Sequence, residues 1–138
     1  MATRFDYSLA GVTLSERERR VVERLLARLR EELGDDLLAV WLYGSRARGD
    51  ANIEETDPDR RSDVDLMVIV DPSRGASSFS WEVIPLVNEA ADAEGDSPVW
   101  YSVLVYDIER LRDRRRIRSF FIQEVDRDKI VLHGSGLE

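Results

Sequence analysis

Apolar residues recur along this chain in two distinct periods. Val22, Leu25, Leu26, Leu29 and Leu33 fall at three- and four-residue steps, the spacing of one helix face. Ser15 and Glu18 open that stretch as a Ser-x-x-Glu capping box, and Gly34 closes it. The pattern predicts an amphipathic helix over residues 16–33. Leu37 to Tyr43 is a short, nearly unbroken apolar run ending at Gly44, as expected of a strand buried on both faces. Residues 49–61 hold Gly, Asp, Asn, Thr and Pro without periodicity and predict a loop. Val64 to Val70 predicts a second strand, stopped by Asp71-Pro72.

A turn at 73–78 then leads into a helix over about 79–94, with Trp81, Ile84, Val87 and Ala91 as its apolar stripe. Gly95 to Pro98 breaks the chain, and Val99 to Tyr106 predicts a third strand. Asp107 fits the N-cap of a short polar helix. A further helix over about 115–126 would bury Ile117, Phe120, Phe121 and Val125, and Ile130 to Leu132 would form a last short strand. Trp41, Trp81 and Trp100 all fall on apolar elements and are expected in the core. Mixed strands and helices in this order suggest one layered α/β (α+β) domain, a small mixed β-sheet with helices packed on it. No repeat, linker or low-complexity segment interrupts it.

Composition narrows the function classes. A chain of 138 residues, 43% of them hydrophobic, suits one domain with its own core. It has no cysteine, which excludes disulfides and thiolate metal sites. The net charge of −8 argues against binding a nucleic-acid backbone. It does not argue against a small anion beside a metal, because the nearest charges set the field in a cleft. No apolar run reaches the roughly 20 residues of a membrane helix. Met1 to Gly11 lacks the apolar core of a signal peptide. The expected setting is cytoplasmic.

Two features carry candidate chemistry. Gly44-Ser45-Arg46-Ala47-Arg48-Gly49 directly follows a buried strand. Glycine there lets backbone approach a bulky anion, and the Ser45 hydroxyl and nearby amides can donate to phosphate oxygens. Arg46 and Arg48 add positive charge. Ser62-Asp63-Val64-Asp65-Leu66 opens the next strand. Side chains at i and i+2 of a strand share a face, so Asp63 and Asp65 point the same way. Two such carboxylates repel unless a cation lies between them, and Mg²⁺ suits one or two carboxylates completed by water and phosphate. Each feature alone has a plainer reading, a turn or a strand-end cap. Together they meet at one end of the sheet, on the expectation that the two strands are adjacent and parallel.

These residues resemble the signature of the polymerase-β-like nucleotidyltransferases: Gly44-Ser45, a variable loop, then Asp63-x-Asp65. The strings GSRARG and SDVDLMVIV look most like the minimal nucleotidyltransferases of bacteria and archaea, and FFIQEVDRDKIVLHG resembles their closing helix and strand. The resemblance spans about residues 15–134, which leaves 1–14 as an N-terminal extension and 135–138 as a tail. It implies a polymerase-β-like fold and transfer of a nucleoside monophosphate from an NTP, ATP in particular, to a hydroxyl. It implies two Mg²⁺ ions held by three carboxylates, with Asp63 and Asp65 as catalytic metal ligands. Gly44 and Ser45 would hold the nucleotide phosphates. It implies, as partner, a helical HEPN protein of a toxin–antitoxin pair. Other acceptors open to so small a chain are a small molecule at a homo-oligomer interface or a partner subunit.

The third carboxylate is not evident. The strand from Val99 to Tyr106 contains no acid, and the best register puts Ser102 at the third position. Asp107 lies past the strand on the other face. Glu94 and Asp96 precede it and reach only if the loop folds back. The alternative reading is therefore a degenerate site, in a nucleotide- or partner-binding, antitoxin-like module. Residues 49–61 carry Glu54, Glu55, Asp57 and Asp59, an acidic excursion. His133 reads as a strand-end surface residue, and the arginines from Arg110 to Arg118 as a solvated helix face.

Overall fold

The capping box forms. Ser15 Oγ accepts from the Glu18 amide at 3.1 Å, and Glu18 Oε1 accepts from the Ser15 amide at 2.9 Å. From it runs α1 (Glu16–Leu33), which buries Val22, Leu25, Leu26, Leu29 and Leu33 as its spacing requires. A computed structural model describes residues 13–49, 61–74 and 76–138. The acidic stretch Glu54 to Asp59 and the first twelve residues lie outside the described residues. The strands are β1 (Leu37–Tyr43), β2 (Val64–Val70), β3 (Tyr101–Asp107) and β4 (Ile130–Gly134). Between them come α2 (Ser45–Arg48), α3 (Ala76–Ala93), α4 (Ile108–Arg116) and α5 (Phe120–Asp128). The fold is α+β, with a mixed four-stranded sheet in the order β3-β2-β1-β4. Among the described residues no helix is long and apolar enough to cross a membrane.

One expectation is overturned at the centre of the sheet. β1 and β2 run antiparallel, with Tyr43 opposite Asp65, while only β2 and β3 run parallel. The two motifs still meet, and antiparallel pairing is the reason. It sets the end of one strand beside the start of the next, whereas a parallel pair would have put Gly44 beside Asp71.

Side-chain alternation divides the sheet into two faces. Val40, Leu42, Val64, Leu66, Val68, Tyr101 and Val105 join α1 and α3 in one apolar cluster. Trp41, Tyr43, Met67, Ile69 and Tyr106 join Leu111 of α4 and Ile122 and Val125 of α5 in the other.

Several helix faces differ from expectation. The helix α3 begins at Ala76, so residues 76–78 are not a turn. Its buried stripe is Val83, Leu86, Val87, Ala90 and Ala91, which leaves Trp81 76% exposed and Ile84 also exposed. Val87 and Ala91 of the expected stripe are buried, and the buried face is turned from Trp81 and Ile84 toward Val83, Leu86 and Ala90, which join the cluster with α1 and β3. The third strand starts two residues late, because Pro98 lacks an amide and opens a 3₁₀ turn over Pro98–Trp100, capped by Ser97. Trp100 is only partly buried against the core. The expected helix over 115–126 is broken: Arg118 takes a φ of 55°, and Ser119 caps α5 by accepting from the Ile122 amide. That break turns Ile117, Phe120 and Phe121 outward, Phe120 to 85% exposure, while Val125 is buried.

Candidate functional site

The site is built where β1 ends and β2 begins. Gly44 has φ 75° and ψ −159°, a conformation that side chains disfavour strongly. A Cβ on it would lie 2.5 Å from Asp65 Oδ2. Only a glycine lets the turn and the carboxylate approach so closely. The chain then makes a single helical turn, α2, in which the Ala47 and Arg48 amides both donate to the Gly44 carbonyl at 3.1 Å. The amides of Ser45 and Arg46 begin this turn, so they have no acceptor within it. Gly44, Ser45 and Asp65 are therefore brought together.

Asp63 is exposed just before β2, and Asp65 is half-buried within it. Burial first, and the negative charge of Asp63 second, push the Asp65 carboxyl up to about 6, against the opposing pull of Arg46 and Arg48. Tyr43, opposite Asp65, has its hydroxyl pushed upward by burial and then by the charges of Asp65 and Tyr106. The Tyr43 and Phe121 rings meet edge to face, 5.6 Å between centroids. Asp65 thus sits beside a half-buried aromatic wall, with burial and the nearby charge of Asp63 both opposing its ionisation.

The two arginines take different places. Arg48 is partly exposed, 3.5 Å from Asp128 of α5, and its charge acts on Asp65. Arg46 is wholly buried. Its Nη1 and Nη2 hold the two carboxylate oxygens of Glu18 at 2.6 Å each and donate to the Thr13 and Ser62 carbonyls. Its charge reaches Asp65 from inside the protein.

Sequence reasoning read Glu18 as a helix cap alone and had no role for Arg61. Arg61 donates to Glu18 and to both oxygens of Asp96, and Asp96 also accepts from the Tyr101 hydroxyl at 2.7 Å. Burial opposes the charge on Asp96, yet the hydrogen bonds from Arg61, Tyr101 and the Ser97 amide prevail and bring it down to about 2. No local signal marks this network, since its members lie far apart in the chain.

The acids weighed for a third ligand are engaged elsewhere. Asp107 pairs with Val70 at the opposite end of the sheet and caps α4 by accepting from the Arg110 amide. Glu94 is held by Arg20 and Arg24, and Asp96 by Arg61. Ser102 is the residue of β3 opposite Asp65. Among the described residues no group of three or more His, Cys, Asp or Glu is placed to hold a metal ion. A carboxylate at Asp65 whose ionisation the neighbouring Asp63 charge opposes, together with Asp63 itself, does fit one hard cation that draws its other ligands from water and phosphate. His133 lies near the far end of β4, where its Nδ1 accepts from Arg30 at 3.1 Å. A separate groove of about 450 Å³ follows the outer edge of β3, lined by residues including Val83, Val87, Leu104 and Arg110 but none of the motif residues.

No protein-family model matches the chain, and no curated protein matches it significantly. Among solved structures it is similar to one described as "the toxin-antitoxin with AMP-PNP", at 21% identity and TM-score 0.43, over 80% of this chain and 72% of that one. It is also similar to "a putative nucleotidyltransferase from Sulfolobus solfataricus", at 17% identity and TM-score 0.40, over 86% and 87% of the two chains.

Proposed function

We propose that this chain is a nucleotidyltransferase of the minimal, polymerase-β-like kind, acting on an NTP, with ATP as the first candidate. The observation that carries the reading is the contact between the Gly44 backbone and the Asp65 carboxylate. It sets a turn suited to phosphate against a carboxylate pair suited to a divalent cation. Asp63 and Asp65 would hold Mg²⁺, which supplies neutralisation of triphosphate charge and lowers the pKa of an attacking hydroxyl. Gly44 and Ser45 would bind phosphate oxygens through backbone amides and the Ser45 hydroxyl. Arg48 would add positive charge at the rim. An acceptor hydroxyl oxygen forms the new bond to the α-phosphorus as the bond to pyrophosphate breaks, and its proton leaves to water. The chain's contribution is orientation and charge complementarity, which dominate phosphoryl-type transfers.

We assign the acceptor hydroxyl to a partner protein, of HEPN type on the sequence resemblance, with residues 15–134 as the transferase domain. A second reading has a specific observation in its favour. Ser102, not an acid, stands opposite Asp65 on β3. A two-carboxylate site holds one metal–nucleotide complex more readily than two ions, so the chain would bind nucleotide and partner without transfer.

One experiment separates the two. The wild-type chain and Asp63→Asn/Asp65→Asn are each incubated with α-labelled ATP, Mg²⁺ and the protein encoded beside it. Label transfer that the double substitution abolishes supports the enzyme. Partner binding and Mg²⁺-dependent nucleotide binding without transfer support the second reading. Absence of nucleotide binding by the wild type sinks both.

A further inference from the structure

Beside the Gly44 turn lies a buried ion pair that also takes part in the α1 capping box. Glu18 and Arg46 both have no exposed surface. While Nη1 and Nη2 of Arg46 grip Glu18, Nη2 also donates to the Ser62 carbonyl at 2.7 Å and Nη1 to the Thr13 carbonyl at 3.0 Å. Ser62 directly precedes Asp63, and Arg46 belongs to the turn that Gly44 and Ser45 open. One guanidinium therefore ties together the start of α1, the phosphate-type turn and the first residues of the acid strand. Arg61 extends the tie through Glu18 and Asp96 to Tyr101, the first residue of β3.

Stability alone explains this arrangement poorly. Desolvating two charges offsets most of what their attraction returns, and apolar side chains of similar volume often serve as well. Arg46 Nε is buried without an acceptor among the described residues, which adds a cost. What a forked guanidinium on a carboxylate does supply is one fixed relative geometry.

We propose that the Glu18–Arg46 pair is a positioning clamp that sets the spacing between the Gly44–Ser45 turn and the Asp63–Asp65 strand start. In its nucleotide-binding consequence the inference rests on the function proposed above. Neither side chain touches the ligand; both act through the residues that do.

The test compares wild type, Arg46→Lys and Glu18→Met/Arg46→Met, first without ligand. Amide order parameters are measured by NMR at Gly44, Ser45, Asp63 and Asp65, with Val40 and Val68 as references in the sheet, alongside thermal melting. In the wild type the four site amides should be as rigid as the references, with order parameters near ~0.85. In the double variant they should fall below about 0.6 while the references hold. Arg46→Lys keeps the charge but cannot bridge Glu18 and Ser62 together. It should loosen the same four amides to a smaller degree, and it decides the question if the double variant does not fold. Mg²⁺-dependent affinity for a non-hydrolysable ATP analogue should fall at least tenfold in the double variant. Rigid site amides in both substituted chains, or already mobile ones in the wild type, would overturn the clamp. If the wild type is rigid but binds no Mg²⁺–nucleotide, the functional reading fails and the order parameters still judge the clamp.

Discussion

The two faces of the sheet are used differently. The face under α1 and α3 is apolar from end to end, from Tyr101 and Val64 to Val70. The face under α4 and α5 is apolar only in its middle, around Trp41, Met67 and Ile69. Beyond Met67 the same alternation that sends Leu66 into the first core sends Asp65 to the second face, beside Tyr43. β2 thus anchors the fold with its even-numbered residues and presents charge with Asp65, just after the exposed Asp63. The division teaches that a small domain can place a costly carboxylate in a sheet when the opposite face supplies the burial. Stability and site chemistry should then be separable by substitution.

The largest expected effect lies on the closed face. Leu29 is completely buried against the sheet, and Leu29→Ala should cost about 3 kcal/mol through lost burial and a residual cavity. Measured by denaturant unfolding, that loss should leave Mg²⁺–nucleotide affinity unchanged while the protein remains folded. A folded Leu29→Ala protein that no longer binds would erase the distinction between the faces. Gly44→Ala comes next and works at the open end. Alanine at that backbone conformation should cost about 1–3 kcal/mol, and its Cβ must also displace Asp65 Oδ2. Affinity should therefore fall along with stability. Alanine that leaves affinity intact would show that the turn and the acid need not be in contact.

The pH dependence is of intermediate size and has two signs. Asp65 titrates near 6 in the folded protein against an ordinary value of 3.8, chiefly because it is buried. The folded state therefore holds this proton more tightly than the unfolded chain does. The stabilisation is complete below the ordinary value and is lost as pH rises through about 6. Asp65→Asn should flatten that part of the stability profile. Divalent-ion affinity runs the other way. Below about 6 a proton competes for the carboxylate, and affinity should drop about tenfold, or ~1.4 kcal/mol, per pH unit. Mn²⁺ titrations from acid to neutral pH measure it. A flat profile would mean that Asp65 ionises as an ordinary surface acid and that the open face imposes no cost.

What could be read from sequence, and what could not, follows the same physical line. α1 was legible because its capping box and stripe are local, as was the N-cap at Asp107. The contact of Gly44 with Asp65 was foreseen for the wrong reason, because side-chain period fixes which residues share a face but says nothing of strand direction. The family resemblance put Ser102 at the third carboxylate position, and Ser102 is the β3 residue that pairs with Asp65. Arg46 and Arg48 were read alike as positive charge beside the turn, and spacing alone does not show that Arg46 is buried. Its partner Glu18 lies in another element, and no local pattern joins the two. In α3 the expected stripe was half right: Val87 and Ala91 are buried, while Val83, Leu86 and Ala90 take the place expected of Trp81 and Ile84, because contact with α1 and β3 selects the face.

The corner between α4 and α5 gives the smallest effect and the finest test of the open face. Helical spacing assigned Phe120 and Phe121 alike to the core, yet the left-handed turn at Arg118 and the cap at Ser119 separate their fates. Phe120 is 85% exposed, so Phe120→Ser should change stability by no more than about 0.5 kcal/mol. Phe121 is less exposed and keeps an edge-to-face contact with Tyr43, so Phe121→Ala should lose about 0.5–1.5 kcal/mol from that ring pair. Introducing Tyr43→Leu as well should remove most of the difference, as a double-mutant cycle can measure. A loss of 2 kcal/mol or more from Phe120→Ser in dilute solution would mean that Phe120 is covered within the monomer. The second face would then be closed beside the carboxylates, and its contrast with the first would be one of composition alone.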